Sequence, residues 1–264
     1  MVLWFGDSVL YGTGAGYGQR ITEHFDRLRP ELDHVNLGRM GYAGPKGGLS
    51  AVNRLIKEHR PAGVVYLANL NDVVPDPGSP FRIDGPPVMP FPTLKSYSAL
   101  YSLISQRIHV WALSRNPSYS PIEHTPEKWD PIVRQTAKRV QRMGQLIETQ
   151  HKRPFTVVIV PYEMQISKEA ADHYAALGIH WEPDFLEGST QKRWAEYMPT
   201  IRVIDGYHAF VDPEDPEGSR EANPRCRYYV CERGGRLDWN HLTPEGHEVL
   251  AKYVHEQGLL EAAR

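Results

Sequence analysis

Residues 2–8 read Val2-Leu3-Trp4-Phe5-Gly6-Asp7-Ser8, and their reading decides the fold. Four apolar residues run directly into a glycine, an acid and a serine. A short apolar run bounded by turn residues is the pattern of a strand buried on both faces. Open α/β sheets hold their ligands just beyond the carboxyl ends of such strands. Ser8 stands at that point. Gly6 is expected to permit a tight turn, and a helix opening near Ser8 would aim its first backbone N–H groups at an anion.

Working outward, four more short apolar runs follow, at residues 34–37, 63–67, 155–160 and 201–204. Each is bounded by polar, glycine or proline residues and reads as a strand. Helix-period segments lie between them. Asp130-Pro131 is an expected helix start, a capping side chain followed by proline at the first helical position. Ile132, Val133, Ala137, Val140, Met143, Leu146 and Ile147 then share one face. Thr243-Pro244 repeats the start signal, with Val249, Leu250, Tyr253 and Val254 as the buried stripe of a last helix. Alternating strands and helices predict a parallel sheet covered on both faces. One α/β domain over residues 1–264 is expected. A proline-rich insertion at 74–93 and a charged loop at 213–236 interrupt it.

Composition removes several classes of function. The formal net charge of -2 over 264 residues lacks the basic excess that nucleic acids or anionic membranes select. No apolar stretch reaches the ~20 residues that span a bilayer. The first residues carry no basic segment and no cleavage site. The expectation is therefore a cytoplasmic protein, or an exported one whose leader has been removed. Cys226 and Cys231 are too few for a disulfide framework or a structural zinc site. Two free thiols are expected, with a local disulfide, implying export, as the alternative. Oligomeric state is left open.

Chemistry enters through the partners Ser8 needs. A serine requires a base to become a useful nucleophile, and Asp238-Trp239-Asn240-His241 offers one. One turn with Asp-x-x-His spacing presents both side chains to the same side, so the carboxylate orients the imidazole. Acyl transfer also needs donors for a developing oxyanion. Asn36-Leu37-Gly38-Arg39-Met40-Gly41 follows the second strand, and Asn69-Leu70-Asn71-Asp72 the third.

These four blocks, in this order, resemble the SGNH/GDSL hydrolase superfamily over nearly the whole chain. The resemblance implies a three-layer α/β/α sandwich with a five-stranded parallel sheet in flavodoxin-like order. It implies Ser8 as nucleophile, His241 as base and Asp238 as its orienting acid. Ser8 N–H, Gly41 N–H and the Asn71 side chain become the oxyanion hole. Asn69 replaces the glycine usual in the third block, and Asp7 and Asn69 are expected to contact substrate. The run His241-Leu242-Thr243-Pro244-Glu245-Gly246-His247 continues the pattern.

The implied activity is serine-dependent hydrolysis of carboxylic esters, without metal or cofactor, on a small-molecule or carbohydrate ester. A short acyl group such as acetyl is expected. The stretch 74–93, with Phe81, Val88, Met89 and Phe91, leaves the active-site edge and would narrow the pocket. An O-acyltransferase with the same triad and a catalytically silent carbohydrate-binding module are the alternatives. Gly12, Gly14, Gly16 and Gly18 raise a flavin or dinucleotide cradle, but the third glycine of that pattern is missing and no P-loop occurs. No zinc-hydrolase spacing is present.

Overall fold

A computed structural model describes residues 1–40, 49–73, 98–115, 126–179, 181, 183–233 and 236–260. The elements in chain order are β1 (Val2–Gly6), α1 (Ser8–Tyr11), α2 (Ile21–Leu28), β2 (His34–Asn36), α3 (Leu49–His59) and β3 (Gly63–Asn69). There follow α4 (Ala99–Arg115), α5 (Pro126–His151), β4 (Phe155–Val160), α6 (Glu163–Ile166), α7 (Lys168–Ala176), α8 (Ser189–Glu196) and β5 (Arg202–Asp205). The last are α9 (Pro216–Ala222), β6 (Tyr229–Arg233), β7 (Arg236–Leu242) and α10 (Pro244–Glu256).

The central sheet has the order β2-β1-β3-β4-β5 with every neighbouring pair parallel. Its strands divide their residues between two cores by the period-2 alternation of a pleat. Val2 and Trp4 of β1, Val65 and Leu67 of β3, and Val158 and Val160 of β4 pack with α2 and α10. Leu3 and Phe5, Val64 and Tyr66, and Val157 and Ile159 face the other way, toward α3 and α5. Each fully buried side chain of this size contributes about 1.5–3 kcal/mol. Both faces are therefore dry, which explains the unbroken apolar runs. The result is a three-layer α/β/α sandwich.

The chain leaves β1 for β2 on one side and crosses to β3 on the other. The strand order thus reverses at β1 and β3, and their carboxyl ends form the crevice where such sheets bind ligands.

Several expectations change. The fifth helix begins at Pro126 and runs through Pro131, so Asp130-Pro131 lies inside it. Leu146, read as part of its apolar face, is exposed. The region 213–236 is not a plain loop: it contains α9, capped by Asp215, and the strand β6. Helix α4 had no counterpart in the sequence reading. Leu100, Leu103, Ile104 and Trp111 are exposed on it, so its apolar residues do not mark one buried stripe. The insertion 74–93 lies outside the described residues.

Candidate active site

Gly6 ends β1 against the backbone of β3. A Cβ there would lie 2.6 Å from the Leu67 carbonyl oxygen. Glycine is required there for the close approach of two strands, and its φ is not positive. Asp7 continues extended and accepts a hydrogen bond from Val9 N–H at 2.8 Å through Oδ1. It thereby caps α1 and sets Ser8 as the first helical residue.

The other half of the site comes from β7. Asp238 and His241 belong to a strand of an antiparallel β6–β7 pair, not to a turn. Side chains three apart on a regular strand point to opposite faces. The register resolves this conflict. Tyr229 pairs with Leu242 and Cys231 with Asp238, so Val230 alone stands opposite Trp239, Asn240 and His241. This bulge of two extra residues re-aims the strand and brings both side chains to one side.

His241 Nδ1 lies 2.7 Å from Asp238 Oδ1, and His241 Nε2 lies 2.8 Å from Ser8 Oγ. Asp238 Oδ1 also accepts from His241 N–H at 3.3 Å. A carboxylate only accepts, so Nδ1 carries the hydrogen and Nε2 is left to accept from the serine hydroxyl. The Asp238 side chain is 7% exposed and that of His241 15%. Water reaches the imidazole and scarcely the acid.

The loop after β3 is a one-turn helix at Leu70–Asp72. Asn69 is fully buried and extended, with Oδ1 accepting from Asn71 N–H at 3.2 Å and Nδ2 donating to the Asn240 carbonyl at 3.5 Å. Asp72, also buried, accepts from Asn69 N–H and from the Tyr66 hydroxyl. The expected substrate contacts are corrected here. Asp7 is 1% exposed and Asn69 0%; Asp7 Oδ1 and both ends of the Asn69 amide hold internal bonds, and Asp7 Oδ2 has no hydrogen-bond partner among the described residues. Both residues build the loops under Ser8 and Asn71. Gly38 likewise packs close, since a Cβ would fall 2.3 Å from Tyr11 N. Gly41 lies outside the described residues. Asn71 is half-buried, and its Oδ1 has no hydrogen-bond partner among the described residues.

Burial pushes the Asp7 carboxyl above the usual range, opposed by the bond from Val9, by Asn71 and by His241. Burial also holds His247 down to about 3, with His24, Arg20 and His241 adding repulsion. His247 is fully enclosed, and the imidazole within hydrogen-bond distance of Ser8 Oγ is that of His241.

One alternative held open by the sequence is realised, and two features had no counterpart in it. Cys226 and Cys231 form a disulfide, so the free-thiol expectation is overturned. Glu163, just past β4, is buried against that disulfide. Its place at the carboxyl end of a buried strand was the available signal. The oxygens and sulfurs of Glu163, Cys226 and Cys231 lie within 4.8 Å of one another, but the disulfide occupies both sulfurs. A cavity of about 570 Å³ near the end of β5, lined by Lys192, Tyr207, His208 and Arg220 among others, is not lined by Ser8, Asp238 or His241.

This sheet order and crevice make a three-layer fold similar to that of a solved protein of the G-D-S-L family. No family model matches the chain, and no curated protein matches it. Solved structures do. A protein described as a lipolytic protein of the G-D-S-L family from Desulfitobacterium hafniense is similar at a TM-score of 0.50 and 11% identity, covering 97% of each chain. A member of the lipolytic G-D-S-L family from Veillonella parvula is similar at 0.48 and 15%, covering 98% of this chain and 97% of its own.

Proposed function

We propose that the protein hydrolyses carboxylic esters, with Ser8 as nucleophile. The observation that carries this reading is the continuous hydrogen-bonded line from Asp238 through His241 to Ser8, at 2.7 and 2.8 Å. Ser8 Oγ attacks the carbonyl carbon while His241 Nε2 takes the hydroxyl proton. Asp238 stabilises the imidazolium that forms. His241 then returns the proton to the departing alcohol oxygen. Water attacks the acyl-serine carbonyl, giving its proton to His241; the acyl–Oγ bond then breaks, His241 returns the proton to Ser8 Oγ, and the acid leaves. Ser8 N–H, Gly41 N–H and the Asn71 side chain are the proposed donors to the oxyanion. No step calls for a metal or organic cofactor.

The solved G-D-S-L protein described as lipolytic, which shares this fold, supports the same reaction class. Among the described residues no helix is long and apolar enough to cross a membrane. A disulfide suits an oxidising compartment, which favours the exported reading over the cytoplasmic one. The preference for a short acyl group now rests on the 74–93 insertion alone, because Asn69 does not line the pocket.

The test is a series of p-nitrophenyl esters from acetate to decanoate, with and without sugar acceptors, on the wild type and Ser8→Ala. Wild-type turnover that Ser8→Ala lacks supports the reading. Release of nitrophenol accompanied by acylated sugar would assign an acyltransferase. No turnover of any ester by the wild type would leave the silent binding module.

A further inference from the structure

The Cys226–Cys231 disulfide is asymmetric. Cys226 is exposed, whereas Cys231 is 2% exposed. Behind Cys231 stands the buried carboxyl of Glu163, whose Oε1 is 2.9 Å from Cys231 Sγ. The carboxyl is held in place. Oε1 accepts from Cys226 N–H at 2.6 Å, and Oε2 accepts from the Tyr174 hydroxyl at 2.6 Å. A sulfur in a disulfide carries no hydrogen, so of the two atoms in the short Oε1···Sγ contact only the carboxyl can supply one. The surroundings agree. Burial raises the Glu163 pKa and the nearby Asp238 charge adds to it, while bonds from Tyr174 and Cys226 and the Arg225 charge oppose. Both cysteines also adopt left-handed backbone, φ 66° and 64°, a region that non-glycine residues rarely occupy and that opening the bridge can relieve.

We propose that this disulfide is a thiol-exchange site, in which a small external thiol takes Cys226 and Glu163 protonates the departing Cys231 sulfur. The incoming thiolate attacks Cys226 Sγ, forming a mixed disulfide as the Cys226–Cys231 bond breaks. The electron pair goes to Cys231 Sγ, which receives the Glu163 proton. The products are a thiol at Cys231 and a carboxylate at Glu163. The thiol now donates back to Oε1 across the same contact, so one proton satisfies both oxidation states of the buried pair. A second thiolate attacks the external sulfur of the mixed disulfide and releases Cys226. Two external thiols are thereby oxidised to their disulfide and the protein's bridge is reduced. Exchange is directional because only one sulfur faces solvent and only the other has a proton donor.

The experiment uses β-mercaptoethanol at pH 7.5, acid quenching, alkylation and peptide mass mapping. The expected adduct is on Cys226, with Cys231 recovered as the alkylated thiol, and the urea-unfolded protein should lose this preference. Glu163→Gln, whose amide gives up no proton, should slow bridge opening at least ~10-fold, a floor set below the ~10²–10⁴ that a positioned acid typically contributes. An adduct on Cys231, or equal adducts on both, would overturn the direction of exchange. An unchanged rate in Glu163→Gln would overturn the role of Glu163. The adduct map of the wild type decides the first point even if that variant does not fold, and neither reading depends on ester hydrolysis.

Discussion

Ser8 is positioned by residues buried beneath it. Asp7 caps the helix that begins with Ser8, and Gly6 lets β1 close on the Leu67 carbonyl. Replacing Ser8 or His241 with alanine is expected to lower kcat at least ~10³-fold, measured on the best ester of the series. Asn71→Ala is expected to lower kcat by ~10²–10³ with little change in KM, because an oxyanion donor acts in the transition state. A change confined to KM would make Asn71 a binding group instead. Gly6→Ala should destabilise the fold by about 1–3 kcal/mol in urea titration, as overpacking does, since the new carbon meets backbone that cannot rotate away. At this scale the sequence was most readable where chemistry restricts the residue type. Ser8, Asp238 and His241 meet as the reading expected, although a bulged strand brings the last two together and not the turn their spacing suggested. Asn69 was not readable, because nothing in an Asn-x-Asn-Asp string tells a side chain that faces a ligand from one that caps its own turn.

The bulge in β7 is the element on which the arrangement turns. It places three residues opposite Val230, and without it His241 could not share a side with Asp238. Deleting Asn240 removes one of the extra residues and turns His241 away. The expected outcome is loss of ester hydrolysis with the far-UV circular dichroism retained. A deletion variant that hydrolyses at the wild-type rate would show that the bulge does not aim the base. The same bulge explains why the β6–β7 pair was hidden in the sequence. Its extra residues break the period of two, and charged Glu232, Arg233 and Arg236 flank it, so no alternating run survives to be read. The five sheet strands are the opposite case. The central strands β1, β3 and β4 are buried throughout, so their apolar runs are nearly unbroken; the edge strands β2 and β5 are only partly buried, yet all five positions were legible to within a few residues.

Across the whole molecule, stability should carry a signature of its enclosed histidines. His247 is 0% exposed in the core shared by α2 and α10, and neither ring nitrogen has a hydrogen-bond partner among the described residues. Its folded pKa is about 3, against ~6.5 for a free imidazole. Between those values the unfolded chain binds a proton that the folded chain refuses. The neutral ring's contribution is therefore complete above pH ~6.5 and is lost as the pH falls toward 3. His34, lowered to about 4 chiefly by burial, acts in the same direction. Asp7, Asp205 and Glu163, raised chiefly by burial, act in the opposite one. A single melting curve mixes these contributions, whereas the difference between wild type and His247→Leu isolates one. Leucine fills a similar volume and does not titrate. Two pH units below 6.5 correspond to about 2.7 kcal/mol for one such group, or roughly 5–10 °C in a chain of this size. His247→Leu should therefore gain about that much in Tm relative to the wild type on going from pH 7.5 to pH 4.5. A gap that is the same at both pH values would mean that His247 takes up its proton inside the fold, and that the core between α2 and α10 admits a charge.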